Sequence, residues 1–171
     1  VLQRSLQRAL HRDDMARLIT DPNPGPLFSQ DWDDGDIESG TIYVLRSLSE
    51  HPFVSQHREL VHKIGVTGGP VEKRIANASH DATYLLAEVE IVATYKLAGI
   101  QRTKLENLFH RIFGAAQLDL TIQDRFGHPV KPREWFLVPL PVIDQVVQHI
   151  IDGSITNFIY DPASASLIRS D

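Results

Sequence analysis

The sequence predicts an α+β domain built on a small antiparallel, three-stranded central sheet flanked by helices, with an N-terminal helix and a C-terminal strand-helix extension. Three observations carry this. Runs of β-branched and aromatic residues recur at "TIYVLRSL", "VHKIGVT" and "EVEIVATYKL", the composition of strands. Helical apolar spacing recurs at "RTKLENLFHRIF" and "PVIDQVVQHIID". The order strand, strand, helix, strand, helix, strand, helix suits a sheet with helices layered on it, and "GVTGGP" has neither the glycine spacing of a dinucleotide fold nor the Lys-Ser/Thr of a phosphate loop.

Along the chain, "LQRSLQRALHRDDMARLI" sets Leu2, Leu6, Ala9 and Leu10 at helical spacing, as in an amphipathic helix. The following "TDPNPGPLFSQDWDDGDIESG" is rich in Pro, Gly and Asp and reads as a linker, with Phe28 and Trp32 available to pin it to a core. "TIYVLRSL" is the first strand and "VHKIGVT" the second, joined by a loop longer than a tight hairpin needs. "VEKRIANASH" is a short helix that Pro70 can open at no cost in hydrogen bonds. "EVEIVATYKL" alternates as a third strand. "RTKLENLFHRIF" then puts Leu105, Leu108, Phe109, Ile112 and Phe113 on one helical face and stops at Gly114. After a polar loop, "REWFLV" is a short strand, and "PVIDQVVQHIID" is a last amphipathic helix ending at Gly153. The expected organisation is a helix and linker over 1–39, a compact domain over 40–153 and a tail over 154–171.

Composition narrows the class. With 171 residues, 42% hydrophobic and 23% charged, the chain can bury one core of ordinary size. It has no cysteine, so disulfides and thiolate metal sites are excluded and a reducing, cytoplasmic setting is expected. No apolar run is long enough to cross a bilayer. The chain begins with Val1 and shows no leader pattern, so it is expected to be part of something longer that carries an upstream specificity or DNA-binding domain. The net charge of −5 is uneven: residues 40–114 hold 9 basic and 7 acidic side chains, whereas both flanks are acidic. The net-positive middle also holds all but the last of the motifs, and it is the part suited to an anionic partner.

Those motifs are "TIYVL" at 41–45, "KIG" at 63–65, Arg74 on the following helix, Glu106 in "LENLFHRIF" and "REWF" at 133–136. Together, over roughly residues 40–136, they resemble the GIY-YIG nuclease superfamily, in particular its phage- and restriction-associated branch with a KIG second motif and a closing Glu-Trp-Phe. Thr41 stands where that pattern has Gly, with Gly40 beside it, and Lys63 stands where it has Tyr. The resemblance implies a metal-dependent endonuclease acting on DNA, with Arg74 in the place of the catalytic Arg and Glu106 in the place of the metal-binding Glu.

The chemistry asks for the same parts. Phosphodiester hydrolysis needs an activated water, neutralisation of charge on the phosphoryl oxygens and help for the leaving oxygen. Tyr43 is the candidate general base, with Lys63 to lower its proton affinity. Arg74 and Lys63 are candidates to steady the phosphate, since a guanidinium offers a fixed fork of donors. Glu106 is a hard oxygen ligand for Mg²⁺, with Mn²⁺ as the alternative, and a single carboxylate with waters is a common way to hold Mg²⁺. His110, one helical turn after Glu106, is an accessory candidate, and His80 and His62 are further ones.

Each residue also has a plain structural reading. Tyr43 and Lys63 suit an ordinary strand, Arg74 suits a surface ion pair, and Glu106 stands four residues after Arg102, the spacing of a helical ion pair. Trp135 and Phe136 read as core. No Gly-x-Ser-x-Gly elbow accompanies the eight histidines, so a serine hydrolase is not indicated. The alternatives to a DNA endonuclease are a catalytically weak or inactive module of the same fold that binds nucleic acid or protein, and an RNA-directed nuclease. Oligomeric state is open, because cutting both strands with one site needs two copies or two events.

Overall fold

The computed structural model describes residues 36–171. The expected N-terminal helix, Phe28 and Trp32 lie outside the described residues. Strands β1 (Asp36–Ser47), β2 (Val61–Thr67) and β3 (Val89–Gln101) are joined in one antiparallel sheet by β6 (Trp135–Leu137), in the order β3-β1-β2-β6. The sheet therefore has four strands, not three. The addition is "REWFL": Lys63 pairs with Trp135 and His62 with Phe136, so β6 continues the sheet at the free edge of β2.

Helices α1 (Pro52–Gln56), α2 (Val71–Ile75), α3 (Arg102–Phe113) and α4 (Leu140–Asp152) surround it. The β1–β2 connection is not a plain loop, because α1 forms where the His51 imidazole accepts a hydrogen bond from the Phe53 N–H and Pro52 sits in the first turn. The helix expected through His80 ends at Ile75 and gives way to 3₁₀ turns over Ala78–His80 and Ala82–Tyr84. Two small hairpins lie in stretches expected to be loop and tail: β4 (Ile122–Gln123) with β5 (Pro129–Val130), and β7 (Phe158–Asp161) with β8 (Ser166–Arg169). The second hairpin is docked, with Tyr160 buried edge-on against Phe113 at 5.9 Å.

Strand alternation sorts residues between two faces. Ile42, Val44, Ile64 and Val66 share the main core with Leu105, Phe109, Ile112 and Phe113 of α3 and with Ile143, Val146 and Ile150 of α4. This closes one face with apolar helix stripes. Tyr43 and Leu45 point the other way, to a smaller cluster with Val71, Ala78 and Tyr84. Trp135 anchors a third cluster with Val54, Val61, Leu85 and Leu118. No helix among the described residues is long and apolar enough to cross a membrane.

Candidate functional site

On the second face, Tyr43 lies opposite Gly65 in the β1–β2 ladder. Its ring lies directly over that glycine: a Cβ on Gly65 would collide with Cζ and Oη of Tyr43. The glycine of "KIG" thus lets the Tyr43 phenol cross β2 and reach the strand's far side. Two residues before it, Lys63 extends from β2 on the same face and is 3% exposed. Its Nζ lies 2.5 Å from Oε2 of Glu134, 3.4 Å from the Thr83 carbonyl and 4.8 Å from the centroid of the Tyr84 ring. A buried ammonium needs such a set of acceptors, because desolvation otherwise strips it of water without replacement.

Arg74 comes from α2. Val71 buries that short helix against the cluster, leaving Glu72, Lys73 and Arg74 on its open side. Side-chain hydrogen bonding to Tyr43 is the largest influence on Arg74 and, opposed only in part by burial, holds its proton above the usual guanidinium range. Among the described residues Arg74 makes no ion pair. The Tyr84 hydroxyl donates to the Arg74 carbonyl at 3.2 Å, and burial, reinforced by Tyr43, pushes the Tyr84 phenol well up.

The 81–86 segment closes this side. Asp81 Oδ1 accepts from the Thr83 N–H at 2.8 Å and from its hydroxyl at 2.7 Å, which turns the chain so that the Thr83 carbonyl meets both Lys63 and the Trp135 indole N–H, the latter at 2.9 Å. Leu85 and Leu86 follow at φ of 61° and 51°. Leucine rarely takes this left-handed conformation, at a cost of about 1–2 kcal/mol each. Burial of Leu85 beside Trp135 holds one of the two in place.

A cavity of about 460 Å³ is lined by Tyr43, Lys63, Arg74, Asp81, Thr83, Tyr84, Lys131, Pro132, Arg133 and Glu134. Four cations and two carboxylates line it, so it favours anions. Lys131 is paired with Asp119 at 2.8 Å, which lowers the proton affinity of that carboxylate.

The structure brings together three of the four expected catalytic residues, Tyr43, Lys63 and Arg74. Glu106 is elsewhere. It rides on α3, which packs on the opposite face of the sheet, and it is ion-paired with Arg102 at 3.1 Å. Of the two carboxylates at the cavity, Asp81 is engaged with Thr83, and Glu134 is delivered by the chain entering β6; the Glu134 side chain is 43% exposed, enough to meet a ligand. The sequence carried the signal in "REWF", where Glu precedes the Trp that pairs with Lys63.

The histidines also fall away from the cavity. His62 is fully buried on the α3 face, its Nδ1 2.8 Å from the Val138 carbonyl, and desolvation lowers its proton affinity. His110 lies on α3 with its ring edge-on to Phe136 at 5.7 Å. His80 is exposed and lines a neighbouring cavity. Trp135 and Phe136 are core, at 0% and 1% exposure.

Comparison with known proteins gives a consistent but coarse result. Residues 40–151 match the family model of the T5orf172 domain. The chain is 39% identical over 151 residues to "Uncharacterized protein YeeC" of Bacillus subtilis (strain 168), an alignment that takes in 88% of this chain and 38% of that relative's length. No solved structure matches it. The match covers the sheet, α3 and most of α4, and contains every residue of the Tyr43–Lys63–Arg74–Glu134 group: the chain belongs to the T5orf172 domain family.

Proposed function

We propose that this is a GIY-YIG-like endonuclease domain that hydrolyses a phosphodiester bond in DNA with one divalent cation, Mg²⁺ or Mn²⁺. The observation that carries the reading is the convergence of Tyr43, Lys63, Arg74 and Glu134 on one cation-rich cavity. The resemblance of "TIYVL", "KIG" and "REWF" to that superfamily supports it.

The residues present fit the metal. Glu134 uses Oε2 on Lys63, and its Oε1 makes no hydrogen bond among the described residues. An open hard oxygen at a partly exposed site suits Mg²⁺ held mainly by water. No group of three ligating side chains occurs among the described residues, so a one-carboxylate site replaces an all-protein cage. Bound there, the cation would supply Lewis-acid polarisation of a phosphoryl oxygen.

The chain's own groups divide the remaining work. Arg74, free of any ion pair among the described residues, offers two parallel N–H donors to the non-bridging phosphate oxygens. Tyr43 acts in its phenolate form: its oxygen, facing Arg74 and Tyr84, takes a proton from the attacking water. Water oxygen bonds to phosphorus as the bond to the leaving sugar oxygen breaks; the leaving oxygen takes up a proton from solvent, and Tyr43 later returns its proton to solvent. Lys63 orients the Glu134 carboxylate and stays buried beneath it.

Plasmid nicking with Mg²⁺ or Mn²⁺ tests this, with Arg74→Ala and Glu134→Gln. Nicking by the parent, lowered about a hundred-fold or more in each variant, is the expected result. A second reading is a non-catalytic nucleic-acid-binding module, favoured by the tight Lys63–Glu134 pair, which leaves that carboxylate already engaged. DNA binding by the parent without nicking under either metal would select it.

A further inference from the structure

A second cavity, of about 770 Å³, adjoins the first and shares Asp81 and Thr83 with it. Its outer wall is the β4–β5 hairpin, with Asp124, Arg125 and Phe126; its inner wall is Asn77 and His80. Phe126 is 69% exposed, the most exposed large hydrophobic side chain among the described residues. A single exposed phenyl is commonplace, but the backbone that carries this one is fixed by a side-chain-capped turn. Asp124 Oδ1 accepts from the backbone N–H groups of both Phe126 and His128 at 2.8 Å, and Gly127 at φ 80° supplies the left-handed step that such a tight hairpin requires. The Arg125 guanidinium sits 4.9 Å from the Phe126 centroid, a cation–π contact that sets a positive charge beside the ring.

The Asp124 carboxylate, spent on the turn, is held below its usual range chiefly by the His128 backbone N–H. It is therefore a structural anion. What the hairpin presents outward is an aromatic side chain next to a cation, beside a cavity that shares Asp81 and Thr83 with the Arg74 site.

We propose that this second cavity takes an unpaired nucleobase of the strand being cut, with Phe126 stacking on the base and Arg125 meeting the adjoining phosphate. The inference rests on the phosphodiester reading of the first cavity. Aromatic side chains bind bases through their π-faces with little regard to sequence, and a nucleotide moved out of the stack exposes such a face. The site thus selects DNA in which a base near the bond is unpaired or easily extruded.

The test uses the whole chain in EDTA and fluorescein-labelled DNA in three forms: a fully paired duplex, the same duplex with one unpaired nucleotide, and the single strand. The parent is expected to bind the last two more tightly than the paired duplex. Phe126→Ala should weaken those two by roughly 5- to 100-fold and leave the paired duplex nearly unchanged. Phe126→Trp should keep the preference and show quenched indole emission on binding. Arg74→Ala should weaken all three alike. A Phe126→Ala chain that binds all three as the parent does would overturn the proposal while the nicking assay still stands for the first cavity. Absence of binding by the parent to any of the DNAs would overturn the base-stacking proposal, and the nicking assay decides the first cavity separately.

Discussion

Ile42, Val44, Ile64 and Val66 point to one side of the sheet and are sealed beneath α3 and α4, while Tyr43, Lys63 and Gly65, interleaved with them in the same two strands, point to the other. The first side is filled with branched and aromatic carbon. The second holds a phenol, an ammonium and a missing side chain, covered by a five-residue helix and by 3₁₀ turns with two left-handed leucines. The same pleat thus serves stability on one face and chemistry on the other. The comparison predicts that substitutions on the helical face act on folding, whereas those on the open face act on activity beyond any loss of stability.

The largest expected effect lies on the helical face. Phe113 is fully buried against Phe109, Phe136 and Tyr160. Phe113→Ala should cost about 3–5 kcal/mol by denaturant unfolding, with nicking per folded molecule preserved at low temperature. The counterpart on the open face is Gly65→Ala. A methyl there must displace the Tyr43 phenol from β2, an overpacking cost of about 1–3 kcal/mol. Nicking should fall much further than that loss of stability explains. Folded Gly65→Ala protein with parental activity would break the assignment of Tyr43 to the site.

These two residues also mark what could be read in advance. The period of α3 announced Phe113 as buried, and the β-branched runs announced β1, β2 and β3, because both signals are local. Which face of the sheet α3 would cover is not local. An apolar stripe says that a helix buries one side, not what it buries it against, so Glu106 read as well for a site residue as for an i,i+4 partner of Arg102. Glu134 lies within "REWF", yet its place at the site depends on the pairing of Lys63 with Trp135, a contact between residues distant in sequence. The β4–β5 and β7–β8 hairpins were missed because their strands are of two and four residues. Two residues are too few for period-two alternation to register, and four are the least that can show it.

A smaller effect is expected from pH. His62 is buried among groups that include the Val138 carbonyl, Arg46 and Glu59, and burial outweighs the carbonyl in lowering its proton affinity. In the unfolded chain its imidazole binds a proton near the ordinary value of about 6.5. In the folded chain it binds only at lower pH, so unfolding takes up a proton in the interval between. Stability should therefore fall as pH drops from about 6.5 towards the folded value, and level off below it. Comparing unfolding of the parent and His62→Gln across that interval isolates the contribution: the variant should lose this part of the slope. An unchanged slope would mean that His62 is not the group that resists protonation.

The smallest effect is the most pointed. Glu106 and Arg102 form a half-exposed i,i+4 pair, with side chains 35% and 40% exposed. Pairs of this kind contribute about 0.3–0.5 kcal/mol, and salt screens them. Glu106→Gln should then shift unfolding by no more than that, by an amount that shrinks at high ionic strength, and should leave metal-dependent nicking at the parental rate. Glu134→Gln should do the reverse, with activity lost in a folded protein. Glu106 rides on the helix that covers the core face and Glu134 lines the cavity on the other, so a single experiment on the pair decides which carries the chemistry. Activity lost with Glu106 and retained with Glu134 would move the site to the α3 side, where Glu106 is paired with Arg102 and has the half-buried His110 one turn away.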